Sequence, residues 1–365
     1  MVRTEGRERR FYTPGRSAVR IIRKVTITRV AETTQTVYSE LLDQLRSATV
    51  VPRSGSFVSK SIAGSTYWYV QRKDGARRRQ IYLGPESPEL LATIARAEEA
   101  RDELADEESR RRELVAMLIA GGMAREHASI AGVLTTIADA GLFRAGAVLV
   151  GTHAFICIAN MMGVRFDHQT LRTADVDLPE PAISVGVGAI RVDILETLRA
   201  SDPRFVAVPE LDPRNPSTSF KVRGRDLRLN LLTPGSRDGA KPVHLPQLNA
   251  AAQPLPGLEY LLAESTEAAV LAGAGILVQI PTPAAFALHK LWVAERRPVS
   301  EQQKARKDRR QAAQLIEVLA EDRPLDLRRA WQRLPANMVS SIRRSSRAMD
   351  GEARQALEDT AVRRA

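Results

Sequence analysis

Two stretches decide the reading: LVGTHAF at 149–155 and RTADVDL at 172–178. An apolar run from Ala145 to Val150 predicts a buried strand, and Gly151-Thr152 predicts a turn. Ala154 to Met162 then predicts an apolar helix closed by Gly163. Further on, Asp175-Val176-Asp177-Leu178 predicts a strand with both acids on one face, because side chains alternate along a strand. A glycine turn backed by a helix N-terminus offers backbone N–H groups to phosphate. Two carboxylates two residues apart can share divalent cations, and paired ions stabilise both oxygens of an in-line displacement. Mg²⁺, or Mn²⁺, suits such oxygen ligands.

Around this core the chain divides. Residues 1–30 hold nine Arg/Lys against Glu5 and Glu8, out of a net charge of +11 for 365 residues. That predicts a solvated basic tail over 1–34. Thr36 to Leu45 has helical spacing, and 56–83 reads as three short strands in which Tyr67, Trp68, Tyr69 and Tyr82 interleave with Lys60, Arg72, Arg77, Arg78 and Arg79. Aromatics among basic residues can stack nucleic-acid bases; one packed and one solvated face of a plain meander is the simpler account. Pro88 opens a charged helix over 89–120, completing an N-terminal part at 35–125, and a shorter helix follows at 129–140. Within a core at 126–250, a helix is expected at 188–200 and strands at 205–208, 219–222 and 227–232, the last two paired across Arg223-Gly224-Arg225. From Pro254 the chain is expected to be mostly helical, with helices from Pro283 to Arg296 and from Ser300 to Ala320. Residues 251–335 would complete the site, and 336–365 would be a basic C-terminal tail.

Several classes fall away. No run of ~18 uninterrupted apolar residues marks a membrane span, and no apolar signal segment opens the chain. Cys157 is the sole cysteine, so an internal disulfide is excluded, and its apolar surroundings predict a packed thiol. The five histidines show no metal-ligand spacing. A cytoplasmic protein is expected.

The quoted halves resemble the signature of DNA polymerase β-type nucleotidyltransferases: a hydrophobic strand with Gly-Ser/Thr, then Asp-hydrophobic-Asp. Their separation is similar to that in the larger branch, which includes abortive-infection and toxin–antitoxin enzymes. SFKVRGRDLRLNLLTP (219–234), AQPLPGLEYLL (252–262), LHKLWVAERR (288–297), KARKDRRQAAQL (304–315) and TYWYVQRKDGARRRQIYLGPESPELL (66–91) extend the likeness to most of 35–335. The resemblance implies an α/β (α+β) nucleotidyltransferase core with a mixed sheet, a helical C-terminal part and a small N-terminal β-meander. It implies transfer of NMP from an NTP to a hydroxyl or amine, with release of pyrophosphate. The acceptor stays open, as RNA, a protein side chain and a small molecule all qualify, and so does an antitoxin-like partner.

By the same resemblance Gly151, Thr152, Arg172, Thr173, Lys290, Lys304 and Lys307 would bind the nucleotide, Asp175 and Asp177 would hold the metals, and Asp308 would join these two as a catalytic acid. On the second helix Lys304, Lys307, Asp308 and Gln311 fall on one stripe at i, i+3, i+4 and i+7, with Arg306, Arg309 and Arg310 outward. One position departs from the pattern. Asn230 stands where the family has a third carboxylate, and an amide ligates through oxygen without charge. Asp226, read on the same strand, and Asp193, read as helical, are the other acids within reach. Loss of turnover with retained nucleotide binding, and an RNA-binding module, are the competing readings.

Overall fold

A computed structural model describes residues 27–362 apart from 49–55, 63–64, 75–76, 100, 167–181, 187–191, 211, 213–214, 236–240 and 350. The fold is α/β with mixed sheets and a helical C-terminal part. At its centre lies a seven-stranded sheet whose main path runs β11 (Val243–Leu245), β12 (Ala250–Leu255), β10 (Arg228–Pro234), β7 (Ala182–Gly186) and β5 (Val148–Val150). β9 (Ser219–Val222) lies antiparallel along the first half of β10, with β8 (Phe205–Ala207) beyond it. β7 and β12 run parallel to β10, and β5 runs antiparallel to β7.

The alternation in Arg228-Leu-Asn-Leu fixes which side is buried. Leu229 and Leu231 are fully buried, whereas Arg228 and Asn230 point to the other face and are half-buried. Helix α5 (Gly151–Met161) follows β5 and drives Phe155 into the core, stacked on Phe166 at 5.0 Å and Phe286 at 6.2 Å. Phe286 belongs to α8 (Pro283–Arg296), which packs along α9 (Gln302–Asp322). At the N-terminus α1 (Glu32–Ser47) leads into the expected meander, β2 (Ser56–Ile62), β3 (Ser65–Asp74) and β4 (Arg77–Pro85). The charged arm is helical over Pro88–Glu99 (α2) and Arg101–Ala120 (α3), on either side of residue 100, and α4 (Ala128–Asp139) enters the core. No described helix is long and apolar enough to cross a membrane.

Four expectations need correction. The basic tail does not extend to 34: β1 (Thr28–Arg29) pairs with β6 (Val164–Arg165), and Arg29 reaches both Glu321 and Asp322 at 2.7 Å. Residues 336–365 are not a tail either. α11 (Ala336–Ser346) buries Met338 and Ile342, and α12 (Gly351–Val362) buries Ala353 and Leu357 beneath its charges. Their apolar stripes are narrow, so the arginines dominated the reading. The stretch after Pro254 contains a hairpin, β13 (Ser265–Val270) with β14 (Ile276–Pro281), whose Ala268, Val270, Val278 and Ile280 are buried. Finally, the helix expected at 188–200 is α6 (Ile194–Ser201), begun by Asp193 as its N-cap.

Candidate functional site

The turn at Gly151 is sharper than the sequence implied. Val150 is extended, at φ −128° and ψ 177°, and the helix starts at once on Gly151 with φ +75°. That φ favours glycine. A Cβ at Gly151 would meet no atom within 4 Å, so the space before the helix is open. Thr152 is half-buried in the first turn, among N–H groups that have no partner within the helix. Next to it, buried His153 places Nδ1 2.9 Å from Oε2 of buried Glu126. Sequence reading missed this pair, because nothing local links residues 126 and 153. Cys157, one turn further, is fully buried, and burial pushes its thiol up, as a packed residue requires.

Sheet register brings Asn230 to the same end. Val150 pairs with Ser184, and Ser184 with Asn230, so the residue before Gly151 and Asn230 lie in one cross-strand row. Arg172, Thr173, Asp175 and Asp177 lie outside the described residues, in the segment between β6 and β7. The two other acids are placed differently from their reading. Asp226 sits exposed in the turn before β10. Asp193 is spent on capping: one oxygen accepts from the Glu196 N–H at 2.8 Å, the other from Asn249 at 2.8 Å. Among the described residues no cluster of three His, Cys, Asp or Glu could hold a metal.

The helix pair supplies the charged side. Asp308 of α9 is 3 % exposed, with Oδ1 2.6 Å from the Lys290 ammonium of α8 and Oδ2 2.6 Å from Nε of Arg297. Burial disfavours its ionisation, yet the two cations outweigh that and hold its carboxyl below the usual range. Lys307, half-buried beside them, has its pKa lowered by burial first and by the Lys290 charge second. Lys304 joins only through Glu301, which binds it at 2.7 Å and also binds Arg297 at 2.7 Å. Arg297, absent from the expected site, follows Lys290 by seven residues along the chain; that two-turn spacing was the available signal. Of the outward arginines only Arg306 is exposed. Arg309 turns inward to Ser345 of α11 at 3.2 Å and Glu295 at 3.7 Å, and Arg310 is half-buried.

One aromatic contact joins the two halves. The Lys290 ammonium lies 5.4 Å from the centre of the Phe286 ring, which stacks on Phe155 in the second turn of α5. The ring contact sets α5 against α8, Lys290, Lys307 and Asp308 gather at the α8–α9 interface, and Asn230 shares the strand row of the residue that precedes Gly151. Lys290, Arg297 and Lys307 face the buried Asp308 and the half-buried Glu301, which leaves a net positive, partly desolvated cluster suited to an anionic ligand.

Residues 128–336, more than half of the chain, match a family described as nucleotidyltransferase, and the chain belongs to that family. Residues 29–92 match a domain of unknown function. No curated protein and no solved structure matches the chain.

Proposed function

We propose that this chain transfers a nucleoside monophosphate from an NTP to an acceptor, releasing pyrophosphate. The observation that carries this reading is the Lys290–Asp308–Arg297 cluster packed, through Phe286 and Phe155, against the helix that Gly151 opens. In this reading the α5 N-terminus and Thr152 take phosphate oxygens. Lys290 and Lys307 neutralise the triphosphate, and Asp308 is a positioning residue that fixes the Lys290 ammonium. Arg172 and Thr173, which precede the two acids in the chain, would assist.

Asp175 and Asp177 would hold Mg²⁺ or Mn²⁺, which when bound neutralises charge on the phosphates. Asn230 fits this only in part: it is a half-buried amide in the cross-strand row of Val150, offering a carbonyl oxygen without a charge. That amide favours a second reading, nucleotide binding with slow or no turnover. A polymerase β-type ancestry, a cytoplasmic location and an antitoxin-like partner belong to the same proposal.

Incubation with each labelled NTP, Mg²⁺ and total cellular RNA or lysate tests it. A labelled acceptor with released pyrophosphate is the expected result. Metal-dependent NTP binding without pyrophosphate favours the second reading, and neither binding nor transfer overturns both.

A further inference from the structure

The segment 29–92 carries a surface that the transfer reading leaves unused. Its three-stranded meander has two unlike faces. On one, Val70 and Ile81 are buried, and Phe57 packs against Ala97 of α2. On the other, register sets Val58 beside Tyr69, Lys60 beside Tyr67, and Tyr69 beside Tyr82. The Tyr69 and Tyr82 rings meet edge-on at 5.5 Å, and Tyr67 and Tyr82 are tilted at 6.3 Å. The exposed Lys60 extends its ammonium over the Tyr69 ring at 5.0 Å and donates to Gln80. All three tyrosines remain half-buried and belong to no hydrophobic cluster of the described residues.

A face built for packing would resemble the centre of its reverse side, where Val70 and Ile81 are closed to solvent. Three touching aromatic rings left partly open, with an ammonium at their edge, form instead a platform for planar ligands. Charge selects the ligand. Residues 56–85 contain six Lys/Arg against Asp74 alone, which fits a polyanion. Rings able to take bases, with Lys60 at their edge and further cations along the same stretch of chain, match an unpaired strand; a duplex hides its bases. The tyrosine hydroxyls can meet ribose 2′-hydroxyls and so favour RNA over DNA. β4 lies beside α6 of the transferase core, so a strand held here stays next to that core.

We propose that the tyrosine face of the meander, Tyr67, Tyr69 and Tyr82 with Lys60, binds single-stranded RNA by base stacking. It deepens the transferase reading by naming the polymer that would bring the acceptor. Binding is measured without nucleotide, so either proposal can fail while the other stands. The experiment is fluorescence anisotropy of the full chain with a short labelled single-stranded RNA. Competition by the same sequence as DNA, by duplex RNA and by polyglutamate completes it. Tyr69→Leu and Tyr82→Leu keep apolar bulk but remove the ring, and each is expected to weaken binding about 5- to 150-fold, since one base–aromatic stack is worth ~1–3 kcal/mol. Tyr69→Phe keeps the ring and should keep binding while narrowing the preference for RNA over DNA. An unchanged melting temperature of the variants separates lost stacking from lost folding, and Tyr69→Phe serves the same end should a leucine variant unfold. Unchanged affinity in folded Leu variants, equal affinity of the parent for DNA, preference for duplex, or polyglutamate competing as well as RNA would each overturn the proposal.

Discussion

The Lys290 ammonium and the Asp308 carboxylate lie 2.6 Å apart across the α8–α9 interface, and the second oxygen of that carboxylate takes Arg297 at 2.6 Å. The buried acid is thus doubly compensated. Removing it strands its partners. Asp308→Asn should lower stability by about 3–5 kcal/mol, the cost of leaving buried charge unpaired. Lys304→Ala, which breaks an exposed pair, should cost under ~1 kcal/mol. Urea midpoints on the two variants check the contrast. Because the Asp308 carboxyl is held below its ordinary range, its contribution is present above that range and is lost as pH falls through its folded value.

Nucleotide binding should separate Lys290 from a surface cation. Lys290→Ala removes a charge from the cluster while Arg297 still compensates Asp308, so the fold should survive. Titration calorimetry should show NTP affinity falling well below that of Arg306→Ala, whose side chain is exposed. Equal affinities would remove Lys290 from the phosphate site.

The proposed metal pair is tested by Asp175→Asn with Asp177→Asn. Metal-dependent nucleotide binding or transfer should disappear while the circular dichroism spectrum is kept. Relief of repulsion between the acids should hold or raise the metal-free melting temperature. A folded double variant with full transfer activity would end the assignment.

Asn230→Asp restores a charge in a nearly isosteric side chain. A third anion near Asp175 and Asp177 should lower metal-free stability modestly. Mg²⁺ or Mn²⁺ should then stabilise the variant more than the parent, since a ligand of the folded state contributes RT ln(1 + [L]/Kd). Thermal shifts with and without metal decide. Equal shifts would mean that residue 230 does not face the metals.

His289, on the same helix as Lys290, has its pKa pushed down to about 4, by burial first and by the Lys290 charge second. The unfolded chain then binds a proton that the folded chain refuses between about pH 6.5 and 4, so stability rises with pH across that window. The loss on acidification should be on the order of 3 kcal/mol. His289→Gln, which does not titrate, should flatten urea midpoints between pH 7 and 4.5 relative to the parent.

Much of this was written in local pattern. The alternation in LRLNLL fixed a half-buried strand, Thr282-Pro283 marked the start of α8, and Lys307 and Asp308 fell on the face of α9 turned to α8. Such signals depend on neighbours a few residues apart, which periodicity records. LVGTHAF likewise marked the β5–α5 turn, and the resemblance pointed to the family that residues 128–336 match.

Other features exist only because distant segments meet. Arg297 became the second partner of Asp308 when α9 folded back along α8. His153 found Glu126, and Asn230 joined the row of Val150, through packing and register that no local spacing encodes. The narrow apolar stripes of α11 and α12 drew them onto the core despite their charge, because burying a few large side chains outweighs leaving arginines at the rim. Sequence by itself therefore determined which residues alternate, cap and repeat. The tertiary structure decided which charges share a partner, since a buried ion pair depends on where two elements cross.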